Sequence, residues 1–188
     1  MDDDARTRRS ALLEIVRRGL LELPEPVTLS SGQRSRWFLD GKAALSRGDD
    51  LALACRCLVD LAAERGIDFD ACGGPTMGAD QFAHGVAIVA SKEWFVVRKA
   101  PKGRGTDRYV EGAALEAKRV LLVDDVITTG GSSLTALDRI TAEGAKVVLA
   151  STLVARTDEP ARRFAEAGVP FAPLFTYRDL GIPPVGDE

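Results

Sequence analysis

One run constrains this chain more than any other: "RVLLVDDVITTGGSS", from Arg119 to Ser133. Its four apolar residues, Val120 to Val123, suit a strand buried on both faces of a parallel sheet. Two carboxylates, Asp124 and Asp125, follow at the carboxyl end of that strand, where open α/β sheets bind their ligands. The small residues Thr128, Thr129, Gly130 and Gly131 then let consecutive backbone N–H groups point inward. A helix starting near Ser132 adds its positive N-terminal end, and together these make a phosphate site. Carboxylates do not favour that phosphate. Asp124 and Asp125 should therefore face sugar hydroxyls, which need acceptors, or a Mg2+ ion, which prefers oxygen ligands. The ligand implied carries phosphate, ribose and metal together. A plain structural alternative is that two acids and a glycine turn merely end a strand and cap a helix. Neither G-x-x-x-x-G-K-[ST] nor G-x-G-x-x-G occurs, so the two commonest nucleotide loops do not account for the run.

The rest of the chain agrees with such a sheet. Leu12, Ile15, Val16 and Leu20 fall at helical spacing, and Pro24 and Pro26 are expected to stop that first helix. A turn at Ser30, Ser31 and Gly32 leads to a short strand around Trp37 to Leu39. Asp49 or Asp50 is expected to cap a helix running through Leu51 to Leu61, with Gly66 at its C-terminal end. From there strands and helices alternate: "FDACGG", "GADQFAHGVAIVA", "EWFVVRK", "RVLLVDD", "SSLTALDRITAEG", "AKVVLASTLVA" and "EPARRFAEAG", before "VPFAPLF". This alternation predicts an α/β fold with a mainly parallel central sheet flanked by helices. The last residues, "PPVGDE", read as a loose tail.

The 188 residues are 45% hydrophobic, enough for one core, and a single domain spanning 1–188 is expected. With 25 basic against 28 acidic residues the net charge is -3, so no global field draws the chain to nucleic acid or an acidic membrane. The amphipathic start is unlike a secretory signal, and no apolar run is long enough to span a bilayer; a cytoplasmic protein is expected. Cys55, Cys57 and Cys72 are an odd set without C-x-x-C spacing, and His84 is the one histidine. Zinc and disulfide frameworks are therefore not expected, and the thiols read as reduced and buried.

A second segment, "VVRKAPKGRGTDRYVEG", places Arg98, Lys99, Lys102, Arg104 and Arg108 within eleven residues on a glycine-bearing stretch. Such a segment can compensate a polyanion, although it can equally be a solvated basic hairpin. Arg119 to Ser133 resembles the phosphoribosyl pyrophosphate (PRPP) signature of type I phosphoribosyltransferases. The basic segment resembles the mobile catalytic loop of the orotate branch of that family, here 99–110. "LSSGQRSRWFLDGKAAL" is similar to its N-terminal acceptor segment, here within a hood covering 1–45. Three positions depart from the commoner pattern. Arg104 stands in place of a histidine, and Ser30 in place of a lysine directed at pyrophosphate. "GGPTMGAD" has Gly78 where many bacterial members carry another lysine.

The resemblance implies a type I phosphoribosyltransferase fold and transfer of the phosphoribosyl group of PRPP to orotate, with Mg2+ as cofactor and a homodimer sharing its active sites. Asp124 and Asp125 would hold the ribose hydroxyls, directly or through Mg2+. Val126, Ile127, Thr128, Thr129, Gly130, Gly131 and Ser132 would form the phosphate loop. Arg98, Lys99, Lys102 and Arg104 would meet PRPP, with Lys99, Lys102 and Arg104, together with the metal, stabilising the leaving group. Phe38, Leu39, Thr128 and Arg156 would border the orotate. Trp37 reads more simply as core, and His84, on an apolar helix, as structural. Two alternatives stay open at this point: another acceptor base, purine or uracil, and a non-catalytic PRPP-sensing regulator of the same fold.

Overall fold

The computed structural model describes residues 3–29, 31–101 and 108–187. Helix α1, Asp3–Arg18, has Asp3 and Asp4 in its first turn and Arg17 and Arg18 in its last, which complement the helix dipole. Its apolar stripe of Leu12, Ile15 and Val16 is buried. The helix ends before Gly19, not at the prolines. Pro24 and Pro26 instead lie inside strand β1, Leu20–Thr28, which pairs antiparallel with β2, Arg34–Leu39. The register breaks between Glu22 and Val27, so the prolines sit where the ladder does not require their missing N–H.

Asp40 caps the short helix α2, Gly41–Ala44, by accepting a 2.9 Å hydrogen bond from the Ala43 N–H. Helix α3, Gly48–Glu64, begins two or three residues earlier than a cap at Asp49 or Asp50 would place it: Arg47 precedes it, and the two acids occupy its first turn. There they act on the dipole by charge instead of by a capping hydrogen bond.

Strands β3 (Ala71–Pro75), β4 (Glu93–Val97), β5 (Val110–Gly112), β6 (Arg119–Ile127), β7 (Lys146–Ala155) and β8 (Phe171–Thr176) form one sheet in the order β5-β4-β3-β6-β7-β8. All neighbouring pairs are parallel except β4 with the edge strand β5. Helices α4 (Asp80–Ala90), α5 (Gly131–Ala142) and α6 (Glu159–Glu166) connect the strands. Alternation along β6 divides the core in two. Leu121 and Val123 pack with Leu12, Leu58, Leu61 and Phe82 of α1, α3 and α4, whereas Val120 and Leu122 pack with Ile140 and Phe164 of α5 and α6. The mainly parallel sheet flanked by helices is thus present as the alternation predicts. The three cysteines are buried and free. Among the described residues no helix is long and apolar enough to cross a membrane.

The end of the chain corrects an expectation. Leu180, Ile182 and Val185 are buried, and the Val185 N–H donates to the Arg156 carbonyl at 3.2 Å. "PPVGDE" is therefore anchored through Val185, because apolar side chains spaced among its turns find the sheet end to cover.

The chain enters the sheet at β3, moves outward to β4 and β5, then returns to the other side of β3 as β6. This reversal opens a crevice beyond the carboxyl ends of β3 and β6. The two strands approach so closely that a Cβ on Gly74 would lie 1.9 Å from the Val123 carbonyl oxygen, immediately before Asp124. Gly74→Ala should consequently lower stability by at least about 2 kcal/mol, read as a shifted urea midpoint with unchanged slope.

Candidate active site

The crevice holds a cavity of about 540 Å³ lined by the β3–α4 loop, the β6–α5 loop and two residues of the hood, Ser31 and Lys42. Neighbouring side chains on a strand normally point to opposite faces. Asp124 and Asp125 lie near the end of β6, three and two residues before its last residue Ile127, and both nevertheless reach this one cavity. Local hydrogen bonds hold them: Asp124 Oδ1 accepts from the Asp125 N–H at 3.0 Å, and Asp125 Oδ1 from the Val126 N–H at 2.7 Å. The Ser133 hydroxyl donates to Asp124 Oδ2 at 2.7 Å. Gly78 backs the pair. A Cβ there would lie 2.5 Å from Asp124 Oδ1 and 2.8 Å from Asp125 Oδ1, so no larger side chain fits without moving the acids. A lysine at this position would therefore have to displace the two acids.

Asp124 is only 8% exposed. Burial, followed by the charge of Asp125, pushes its pKa up from 3.8 to about 7, while the Ser133 hydrogen bond acts in the opposite direction. The site is thus electrostatically loaded and favours a cationic or hydroxyl-bearing group between the two acids.

The β6–α5 loop supplies the opposite polarity. Thr157 Oγ1 donates to the Thr128 carbonyl at 2.5 Å, and Arg163 Nη1 to the Thr129 carbonyl at 2.7 Å. With these oxygens tied down, Gly130 turns the chain at φ +78°, a conformation that suits glycine, and α5 begins at Gly131. The first N–H groups of a helix have no partner within it, so the loop leaves donors facing the cavity.

Lys99, Asp124, Asp125 and the whole run Val126 to Ser132 line this cavity. Arg98 does not. It borders a second hollow and is paired with Glu111 at 2.9 Å. Lys102 and Arg104, like Ser30, lie outside the described residues. Phe38 is 40% exposed and Leu39 is buried in the core; neither borders the cavity. Strand alternation explains the split, since Ser35, Trp37 and Leu39 share one face of β2 and Phe38 has the other. Arg156 is buried as well, its Nη1 donating to the Trp37 carbonyl at 2.8 Å and its Nη2 to Ser35 Oγ at 3.2 Å. The guanidinium thereby pins β2 to the end of β7. His84 is exposed on α4, 4.4 Å from the Trp94 ring and away from the acids.

Sequence reasoning missed Lys42 and Ser133. Lys42, on the short helix α2, reaches the cavity from a segment remote in the chain, which no local pattern announces. Ser133 was legible in principle, as the last residue of the signature run, but its bond to Asp124 depends on where α5 starts.

A two-sided parallel sheet with paired acids and a phosphate-type loop at its switch point defines a type I phosphoribosyltransferase. The family model "Phosphoribosyl transferase domain" matches residues 62–169. An orotate phosphoribosyltransferase of Streptomyces avermitilis is 41% identical over 83% of this chain and 88% of its own length. One from Mycobacterium bovis is 35% identical over 93% and 97%. The crystal structure of Mycobacterium tuberculosis H37Rv orotate phosphoribosyltransferase in complex with PRPP superposes with a TM-score of 0.77 at 32% identity, covering 93% of this chain and 99% of that one. The chain belongs to the phosphoribosyltransferase family and, within it, to the orotate phosphoribosyltransferases.

The raised Asp124 carboxyl has a stability consequence. Folding costs nothing through this group while it is protonated in both states, below about pH 4; the cost grows as pH rises and is complete above about 7. In metal-free protein Asp124→Asn should therefore be more stable than the parent at pH 8, by roughly 1–3 kcal/mol, with the gap narrowing at pH 5 and closing only near pH 4. Thermal unfolding across that range checks it.

Proposed function

We propose that the chain transfers the 5-phosphoribosyl group of PRPP to orotate, giving orotidine 5'-monophosphate and pyrophosphate, as a step of pyrimidine nucleotide synthesis in the cytoplasm. The observation that carries this reading is the convergence of Asp124 and Asp125 with the Thr128–Ser132 loop on one cavity. A 5'-phosphate would sit on the N–H groups of that loop. The ribose hydroxyls would donate to the two carboxylates. The N1–C1 bond forms as the C1–O bond to pyrophosphate breaks; the electron pair leaves with pyrophosphate and the N1 proton is released. Positive charge on the sugar is favoured by Asp124 and Asp125, and negative charge on the leaving group by Lys99 and, we suggest, Lys42. Lys102 and Arg104 are proposed to join them, and loop closure to exclude water.

Among the described residues no three His, Cys, Asp or Glu side chains come together as a metal-binding group. Two adjacent carboxylates fit Mg2+, which commonly takes one or two protein carboxylates and completes its shell with substrate oxygens and water. When bound there it would neutralise charge on PRPP. For the acceptor, Thr128 borders the cavity directly, and Arg156 is proposed to act near the hood segment it holds, with Phe38 and Leu39 contributing through that segment. A homodimer is supported by apolar surface on α4 and β4, where Ile88 is 80% exposed and Trp94 40%. Sedimentation giving only monomer would remove that part of the proposal.

The test is pyrophosphate release from PRPP and Mg2+ with orotate, uracil, hypoxanthine, xanthine or adenine. Release with orotate alone is expected, reduced at least about a hundredfold in Asp125→Asn. Lys42→Ala should raise the KM for PRPP by roughly tenfold, with little change in the KM for orotate. Turnover of another base in preference to orotate would overturn the acceptor assignment.

A further inference from the structure

The basic segment 99–110 leaves and rejoins the sheet edge next to α5, and one side chain of that helix grips both stems. Arg139 lies eight residues beyond Gly131, about 12 Å along the helix from the phosphate loop. Its Nη1 donates to the Arg98 carbonyl and its Nη2 to the Lys99 carbonyl at 3.3 Å. On the returning stem its guanidinium carbon stands 4.0 Å from the centroid of the Tyr109 ring, a cation–π distance. The stems also meet each other, through the Arg98 N–H and the Tyr109 carbonyl at 2.8 Å. A second tie from the same region, Arg108 to Glu143 at 3.0 Å, joins the returning stem to the residue just past α5.

Guanidinium suits this place because its planar fork can serve two carbonyls while its face lies on a ring; an ammonium cannot do both. The peptide that Arg139 holds is that of Lys99, the residue whose side chain enters the PRPP cavity. Lys99 and Arg139 also border a further cavity of about 200 Å³, together with Ser132 and Thr135 of α5. The same rigid helix thus presents the phosphate loop at its first turn and fixes the origin of Lys99 two turns later.

We propose that Arg139 is a positioning residue that sets the distance between Lys99 and the phosphate loop, so that the two ends of PRPP are met on one frame. This rests on Lys99 contacting the pyrophosphate end. A double-mutant cycle of Lys99→Ala and Arg139→Gln, read in kcat/KM for PRPP, tests it, with thermal midpoints recorded and Arg139→Lys as the conservative variant. Each single change is expected to lower kcat/KM for PRPP by about tenfold, and the double variant to match Lys99→Ala within about twofold. The KM for orotate should stay at the parent value, and Arg139→Lys should recover only part of the loss. Losses that multiply would overturn the role of Arg139 while leaving Lys99 as a ligand. A silent Lys99→Ala would remove the reading of Lys99 and the proposal with it. A parent-like Arg139→Gln would remove the proposal alone. Should Arg139→Gln fail to fold, the same cycle with Arg139→Lys decides between these outcomes.

Discussion

Everything in the site depends on keeping two carboxylates together at the end of a buried strand. Placing like charges side by side, one of them almost out of water, is unfavourable, and the fold compensates locally. Ser133 and two backbone N–H groups donate to the pair. Glycine at position 78 leaves room around both acids, and glycine at 74 lets β3 close against β6. The remaining electrostatic cost is consistent with a binding site, since it is relieved by whatever hydroxyls or cation the cavity receives.

Around this centre the chain arranges positive groups from three separate directions. The N-terminal turn of α5 contributes backbone dipoles, Lys99 comes from the end of β4, and Lys42 from the hood. Two arginines that do not line the cavity hold these parts in place. Arg156 ties the hood strand β2 to the end of β7, and Arg139 ties the stems of the basic segment to α5. Arg139 donates to two backbone carbonyls, and Arg156 to one carbonyl and the Ser35 hydroxyl, so each bears on where a segment sits.

The agreement between local pattern and fold was best where periodicity and burial coincide. The apolar run Val120 to Val123, followed by acids and glycines, announced strand and helix in order, and Val126 to Ser132 line one cavity with the two acids. Local signals misled where a longer-range partner was available. Pro24 and Pro26 looked like helix stops, yet a bulged two-stranded ribbon accommodates them. Asp49 and Asp50 looked like caps, yet α3 starts earlier. "PPVGDE" looked loose, yet Val185 finds an apolar recess and a carbonyl.

The sequence by itself determined the fold class, the position of the paired acids and the chemistry they can serve, because strand burial, glycine turns and helix starts are written in adjacent residues. Tertiary structure alone decided which distant cations join them. Lys42 lies some eighty residues before Asp124 and reaches the same cavity from the short helix α2. Leu39 and Arg156 read as acceptor residues from their motifs alone; β2 alternation buries Leu39 in the core, and the closeness of β7 sets Arg156 against the Trp37 carbonyl and the Ser35 hydroxyl. Those outcomes depend on packing between elements that are remote in the chain, a contact energy that no local window contains.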